Sequence, residues 1–141
     1  RAAETPTPLL SANDRLGIAL VGCGGMGTAD ARNAANHGNV IAVCDVDRTR
    51  AEEAAVKLTP EGGSKPSIHG DFRELLARKD IDVIINGTPD HWHTLVNLGA
   101  IRAGKDVYAE KPLTLTIDEG RRLVQEATAR GSVLQTGTQQ R

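Results

Sequence analysis

Three short segments hold residues whose types and spacing could do chemistry. The first, Gly22-Cys23-Gly24-Gly25-Met26-Gly27, reads G-x-G-x-x-G. Glycines so placed let the chain turn tightly after a strand, let the backbone come close to a pyrophosphate, and let the next helix close on the strand. Gly22, Gly24 and Gly27 take those roles in turn. The N–H groups of Gly24, Gly25 and Met26 then face an anion at a helix N-terminus, whose partial positive charge favours it. The motif alone is a weak signal in a chain with 15 glycines. Its context strengthens it, because Asp45 follows Gly27 by 18 residues, at the end of the next apolar run. A carboxylate there accepts hydrogen bonds from both hydroxyls of an adenosine ribose and repels a 2′-phosphate. The expected cofactor is therefore NAD, with NADP the less favoured choice and Arg48 and Arg50 the argument for it. A glycine-rich turn that binds another ligand, or none, is the structural alternative.

The other two segments are Gly87-Thr88-Pro89-Asp90-His91-Trp92-His93 and Glu110-Lys111-Pro112-Leu113-Thr114, each following a short apolar run. Lys111 precedes a proline whose ring restrains the backbone, so it reads as a fixed cation. Such a cation suits orienting a substrate oxygen, or lowering the pKa of a hydroxyl that loses its proton as hydride leaves. Without the neighbouring motifs a solvated surface lysine would be the simpler reading. Asp90, His91 and His93 lack a further ligand set, so no metal is expected. Trp92 is expected to fill the core and His91 to lie at the surface or cap a helix.

These segments need a scaffold, and the pattern supplies one. Leu16–Val21, Val40–Cys44, Asp82–Asn86, Val107–Ala109 and Val133–Gln135 read as strands, with Ser67-Ile68 a weaker candidate. Ala51, Ala54, Ala55 and Leu58 have helical spacing, as do Trp92, Leu95, Val96, Gly99 and Ala103. Asp71-x-x-Glu74 and Thr116-x-x-Glu119 resemble capping boxes, Asp47 and Asp90 suit N-caps, and Gly104 and Gly131 suit helix ends. The alternation predicts an α/β fold, a doubly wound parallel sheet with right-handed crossovers. Ligands in such a sheet lie outside the strand C-termini, so all three segments should border one crevice. Thr59–Pro66 is the evident flexible loop.

Composition agrees. The 141 residues are 39% hydrophobic and 25% charged, ordinary values for one globular domain. Phe72, Trp92 and Tyr108 are its three aromatics, which leaves the core to aliphatic side chains. The net charge of −1, with no basic stripe, argues against nucleic-acid and acidic-membrane partners. No apolar run approaches the roughly 20 residues of a membrane span. Residues 1–14, rich in Pro and Thr, are expected to be a disordered or processed leader, with the dinucleotide-binding domain over 15–141. Localisation stays open between a cytoplasmic default and export of a processed precursor. Cys23 and Cys44 have no metal-site spacing and read as free thiols; a bridge between them is left open for an oxidising compartment.

Taken together, G-C-G-G-M-G, V-C-D-V-D, T-P-D-H-W-H, A-G-K-D-V-Y-A-E-K-P and Q-T-G-T-Q-Q-R resemble the glucose-fructose oxidoreductase/inositol dehydrogenase/MocA family. The resemblance spans nearly the whole chain after the leader. It implies that Thr88 and Pro89 line the adenosine and pyrophosphate side, and that His93 and Glu110 lie near the nicotinamide ribose. It places Lys111 against the nicotinamide and substrate, and Gln139 near the nicotinamide. Family members continue into a second domain that supplies the substrate pocket, the surface of a homo-oligomer and a further catalytic histidine. That domain is expected to be absent here, leaving the chain alone inactive. The reaction implied for the full-length enzyme is hydride transfer between the nicotinamide and a sugar, cyclitol or related polyol. An NAD-dependent glycosidase of the same family and a non-catalytic dinucleotide-binding module are the alternatives.

Overall fold

A computed structural model describes residues 14–138. Most of the leader, and Gln139 with it, lie outside the described residues. Six strands form one sheet: β1 (Leu16–Val21), β2 (Gly38–Cys44), β3 (Ser67–His69), β4 (Val83–Asn86), β5 (Asp106–Glu110) and β6 (Leu134–Gly137). Their order is β3-β2-β1-β4-β5-β6 and every pairing is parallel. The chain therefore reverses its direction of winding between β1 and β4, which opens a crevice at their C-terminal ends.

Five helices cover the two faces: α1 (Gly25–Ala34), α2 (Arg48–Lys57), α3 (Phe72–Leu76), α4 (His93–Arg102) and α5 (Ile117–Arg130). One core joins Ile18, Leu20, Val43 and Ile85 of the sheet to Ala31, Ala51, Ala54 and Ala55 of α1 and α2. The other joins Ala19, Ile84 and Val107 to Leu75, Val96, Ala100, Ile101 and Leu123. Alanine on the helices and branched aliphatics on the strands let the layers approach closely.

The caps follow local chemistry, with corrections. Asp47 accepts from the N–H groups of Thr49 and Arg50, and Thr116 with Glu119 forms a full capping box. Gly131, at φ 65°, ends α5 in the left-handed region that an L side chain resists. Asp71 does accept from Arg73 N–H, but no reciprocal bond forms, because Glu74 turns to His69 Nδ1 at 2.7 Å. Asp90 is no cap: it begins a 3-10 turn, Asp90–Trp92, ahead of α4. That turn shifts the helical phase. The buried face of α4 is His93, Thr94, Val96, Asn97, Ala100 and Ile101, while Leu95 is exposed. Trp92 is 41% exposed, so it is not core filler as the spacing suggested.

Candidate active site at the strand ends

The glycine loop is built by close contact. Gly22 has φ 89°, and its N–H donates to Cys44 O at 2.8 Å, tying the loop to β2. A Cβ on Gly22 would lie 2.5 Å from backbone atoms of Gly87 and Thr88, and one on Gly27 would lie 2.3 Å from Gly22 O. A Cβ on Gly87 would in turn meet Gly27 Cα at 2.5 Å. Three backbones thus share a space that admits no side chain. Gly87 was not singled out as a site residue from sequence, although its place after β4 was a usable signal.

Gly24 and Gly25 differ from these three. A Cβ on either would meet nothing within 4 Å, because both face open space. Gly24 is the N-cap of α1 and offers no side chain to the first-turn N–H groups, and no acidic residue stands in that turn. A helix N-terminus left this way, facing a crevice, is suited to an external anion. The crevice has a volume of about 690 Å³, and Gly22, Gly24, Gly25, Met26 and Gly27 line it together with Asp45, Thr88 and Pro89.

Asp45 is already at work within the chain. Its Oδ2 accepts from Cys23 N–H at 2.8 Å and its Oδ1 from Asp47 N–H at 2.9 Å, which fixes the carboxylate at the crevice. Each oxygen keeps a lone pair, so a ribose diol can still be received. Arg50 also lines the crevice and pairs with Asp47, whereas Arg48 pairs with Glu52 along its own helix. The far wall is Val46, Phe72, Arg73 and Trp92, with Trp92 edge-on to Phe72 at 6.5 Å. Sequence reasoning missed this wall. The only signal was that Gly70-Asp71-Phe72 follows a strand, and β3 has just three residues.

Cys23 lies in the loop but points inward, its Sγ 3.5 Å from Cys44 O. Both cysteines are free and buried. Burial first, then the negative charge of Asp45, pushes each thiol up to about 12, so neither offers a thiolate at neutral pH.

The two remaining motifs meet through His93, which is 1% exposed. Its Nδ1 lies 2.5 Å from Pro112 O and its Nε2 2.8 Å from Thr88 O. The ring therefore braces the segment after β4 against the segment after β5, and it does not line the crevice. Beneath it Asn86, fully buried, donates to Asn97 Oδ1 at 2.7 Å and to His93 O at 3.2 Å, while its own Oδ1 accepts from the Thr88 hydroxyl at 2.7 Å. Glu110 is 6% exposed and turned into the protein. Lys111 is exposed, and its peptide to Pro112 is cis. Neither Glu110 nor Lys111 lines the crevice. Among the described residues no group of three or more His, Cys, Asp or Glu could hold a metal ion, and no helix is long and apolar enough to cross a membrane.

Comparison with known proteins places this geometry. Residues 16–138 match the model of an oxidoreductase family with an NAD-binding Rossmann fold. An inositol 2-dehydrogenase of Burkholderia multivorans is 32% identical over 122 residues, covering 84% of this chain and 35% of that protein. A glycosyl hydrolase family 109 protein of Shewanella putrefaciens is 33% identical over 90 residues, 61% of this chain and 20% of its own length. The crystal structure of myo-inositol dehydrogenase from Lactobacillus casei with NAD(H) and myo-inositol superimposes with a TM-score of 0.78 at 27% identity, over 87% of this chain and 36% of that one. The chain thus spans about a third or less of the length of these relatives. It belongs to the NAD-binding Rossmann-fold oxidoreductases of the glucose-fructose oxidoreductase/inositol dehydrogenase/MocA family.

Proposed function

We propose that the crevice binds NAD and that the complete enzyme carrying this domain is a dehydrogenase acting on a secondary alcohol of a sugar, cyclitol or related polyol. The observation that carries the first part is the uncapped N-terminus of α1, where Gly24 and Gly25 leave open the space a pyrophosphate would need. Residues from Gly24 to Gly27 would hold the phosphates through backbone N–H groups, and Asp45 would receive the ribose hydroxyls. The nicotinamide supplies the hydride acceptor when bound. Preference for NAD over NADP rests on Asp45, whose charge opposes a 2′-phosphate; Arg50 is the residue that would weaken it.

The polyol assignment is supported by the inositol dehydrogenases among the relatives. Lys111 would orient the reacting oxygen and stabilise the negative charge that builds on it as its proton leaves, a charge larger in the transition state than in the bound alcohol. The crevice takes no lining residue from β5 or β6, so we propose that turnover needs more polypeptide than these 141 residues. Lys111→Ala in the complete enzyme should lower kcat on the order of 100-fold, with NAD affinity little changed. Equal activity on the best polyol would remove Lys111 from the mechanism. Lost NAD binding with kcat intact would make it a cofactor clamp. The family 109 relative favours a second reading, a glycosidase that retains NAD through transient oxidation. Glycoside cleavage without net NADH release would select it.

A further inference from the structure

Asp30, on the second turn of α1, is a carboxylic acid in an apolar layer. It is 9% exposed, and its Oδ2 has no hydrogen-bond partner among the described residues. Its other contact is a second carboxyl, that of Glu110 at the end of β5, with which it shares a hydrogen bond. Around them the α1 side of the sheet offers Ile18 and Leu20 from β1, Val83 and Ile85 from β4, and Tyr108 from β5. The Tyr108 hydroxyl feels the charges of both Asp30 and Glu110. From β6, Gly137 stands opposite Glu110 in register, and a Cβ there would lie 2.8 Å from the Tyr108 hydroxyl and 3.0 Å from Glu110 Oε1. Among the described residues the titratable groups facing Asp30 are Glu110 and Tyr108, both acids.

Two carboxyls can share a hydrogen bond only if one carries a proton. Glu110 also accepts, through Oε2, from the backbone N–H of Lys111 at 3.3 Å, so its charge is tied to the segment that presents that lysine. We propose that Asp30 is a positioning residue: protonated, it donates to the Glu110 carboxylate, and this one proton fastens the phosphate-binding helix α1 to the segment carrying Lys111. Neither residue needs to touch substrate. Burial, then the hydrogen bond and charge of Glu110, push the Asp30 carboxyl up to about 7, so the link operates in the neutral range. As pH rises through that value the proton leaves to solvent. Two neighbouring carboxylates then repel, and the helix and the segment are no longer fastened.

The sign of the stability effect follows. The unfolded chain releases this proton near 3.8 and the folded chain holds it to about 7, so Asp30 lowers stability progressively from about pH 4 to about pH 7 and by a constant amount above. Infrared spectroscopy of the protein at about pH 6, where exposed carboxyls are ionised, should show the carbonyl band of a protonated carboxyl. The band should disappear by about pH 9 and be absent from Asp30→Asn, whose amide keeps the hydrogen bond without titrating. Thermal melts of parent and Asp30→Asn should diverge across the same range, the variant gaining relative to the parent as pH rises. If Asp30→Asn does not fold, Glu110→Gln removes the neighbouring charge and leaves Asp30 only its burial, so the band should disappear at a lower pH than in the parent; an unchanged midpoint would overturn the pairing.

No band in the parent at about pH 6 would overturn the proposal, as would a band that persists in a folded Asp30→Asn. NAD affinity in the parent should weaken several-fold between about pH 6 and pH 9 and stay flat in Asp30→Asn; identical profiles would show that the pair positions nothing. This last measurement rests on the dinucleotide reading of the crevice, whereas the infrared band does not. Failure of NAD to bind at any pH would strike that reading and leave the shared proton standing.

Discussion

The ends of β1 to β4 and the ends of β5 and β6 look out on the same side of one sheet, but they are furnished in opposite ways. At the first, the chain removes side chains: Gly22, Gly27 and Gly87 pack backbone against backbone, and Gly24 and Gly25 leave the space in front of α1 open. The carboxylate of Asp45 is fixed there by the N–H groups of Cys23 and Asp47. At the second, side chains carry everything. His93 braces two carbonyls, Glu110 is folded inward onto Asp30, and Lys111 is exposed. The glycine-loop half is thus shaped by main-chain geometry close by in sequence. The other half depends on groups that must be positioned by neighbours from other elements.

If that contrast is right, the largest effect belongs to the packed glycines. Gly22→Ala adds a Cβ 2.5 Å from the Gly87 backbone at a residue with φ 89°. It should cost at least about 3 kcal/mol, the sum of left-handed strain and overpacking, read as a drop in the denaturation midpoint. A variant as stable as the parent would mean that the loop can shift and is not locked.

His93→Ala comes next, since it removes the ring that lies between the Thr88 and Pro112 carbonyls, with its N–H donor, and empties a buried site. A loss of about 2–4 kcal/mol is expected in thermal or urea unfolding. A near-neutral result would show that the two segments hold their places without the brace.

Asp45→Ala should cost about 1–2 kcal/mol for two lost acceptors on backbone N–H groups. It should also narrow the gap between NAD and NADP affinity measured by calorimetry. If the parent already binds NADP more tightly, Arg50 dominates the ribose end and the expectation from Asp45 is wrong.

Lys111→Ala should be the smallest in stability, within about 0.5 kcal/mol, because the side chain is exposed. A larger loss would mean that its ammonium is built into the fold.

What could be read in advance divides along the same line. The strands announced themselves as apolar runs, and the loop and Asp45 by spacing alone, because main-chain requirements select glycine at fixed offsets. The polar interior was silent. Asn86, Asn97, His93 and Asp30 occupy buried positions that an amphipathic period assigns to apolar residues, so no periodicity could reveal them. Trp92 was misplaced because a 3-10 turn precedes α4, and three residues per turn put it out of phase with the helix that follows. Phe72 and Arg73 were missed as crevice wall because the β3 pairing that places them is three residues long.

The central claim is that backbone at the start of α1, and the empty space before it, make the cofactor site. Gly24 allows a clean test. Its backbone, at φ −68° and ψ 178°, is open to any residue, and a Cβ there would meet no atom within 4 Å beyond its chain neighbours. Gly24→Val should remain folded, losing no more than about 1 kcal/mol as the poorer N-cap, while calorimetry shows NAD affinity reduced by about 100-fold or more, since the valine would fill the pyrophosphate's place. Unchanged NAD affinity in that folded variant would contradict the account.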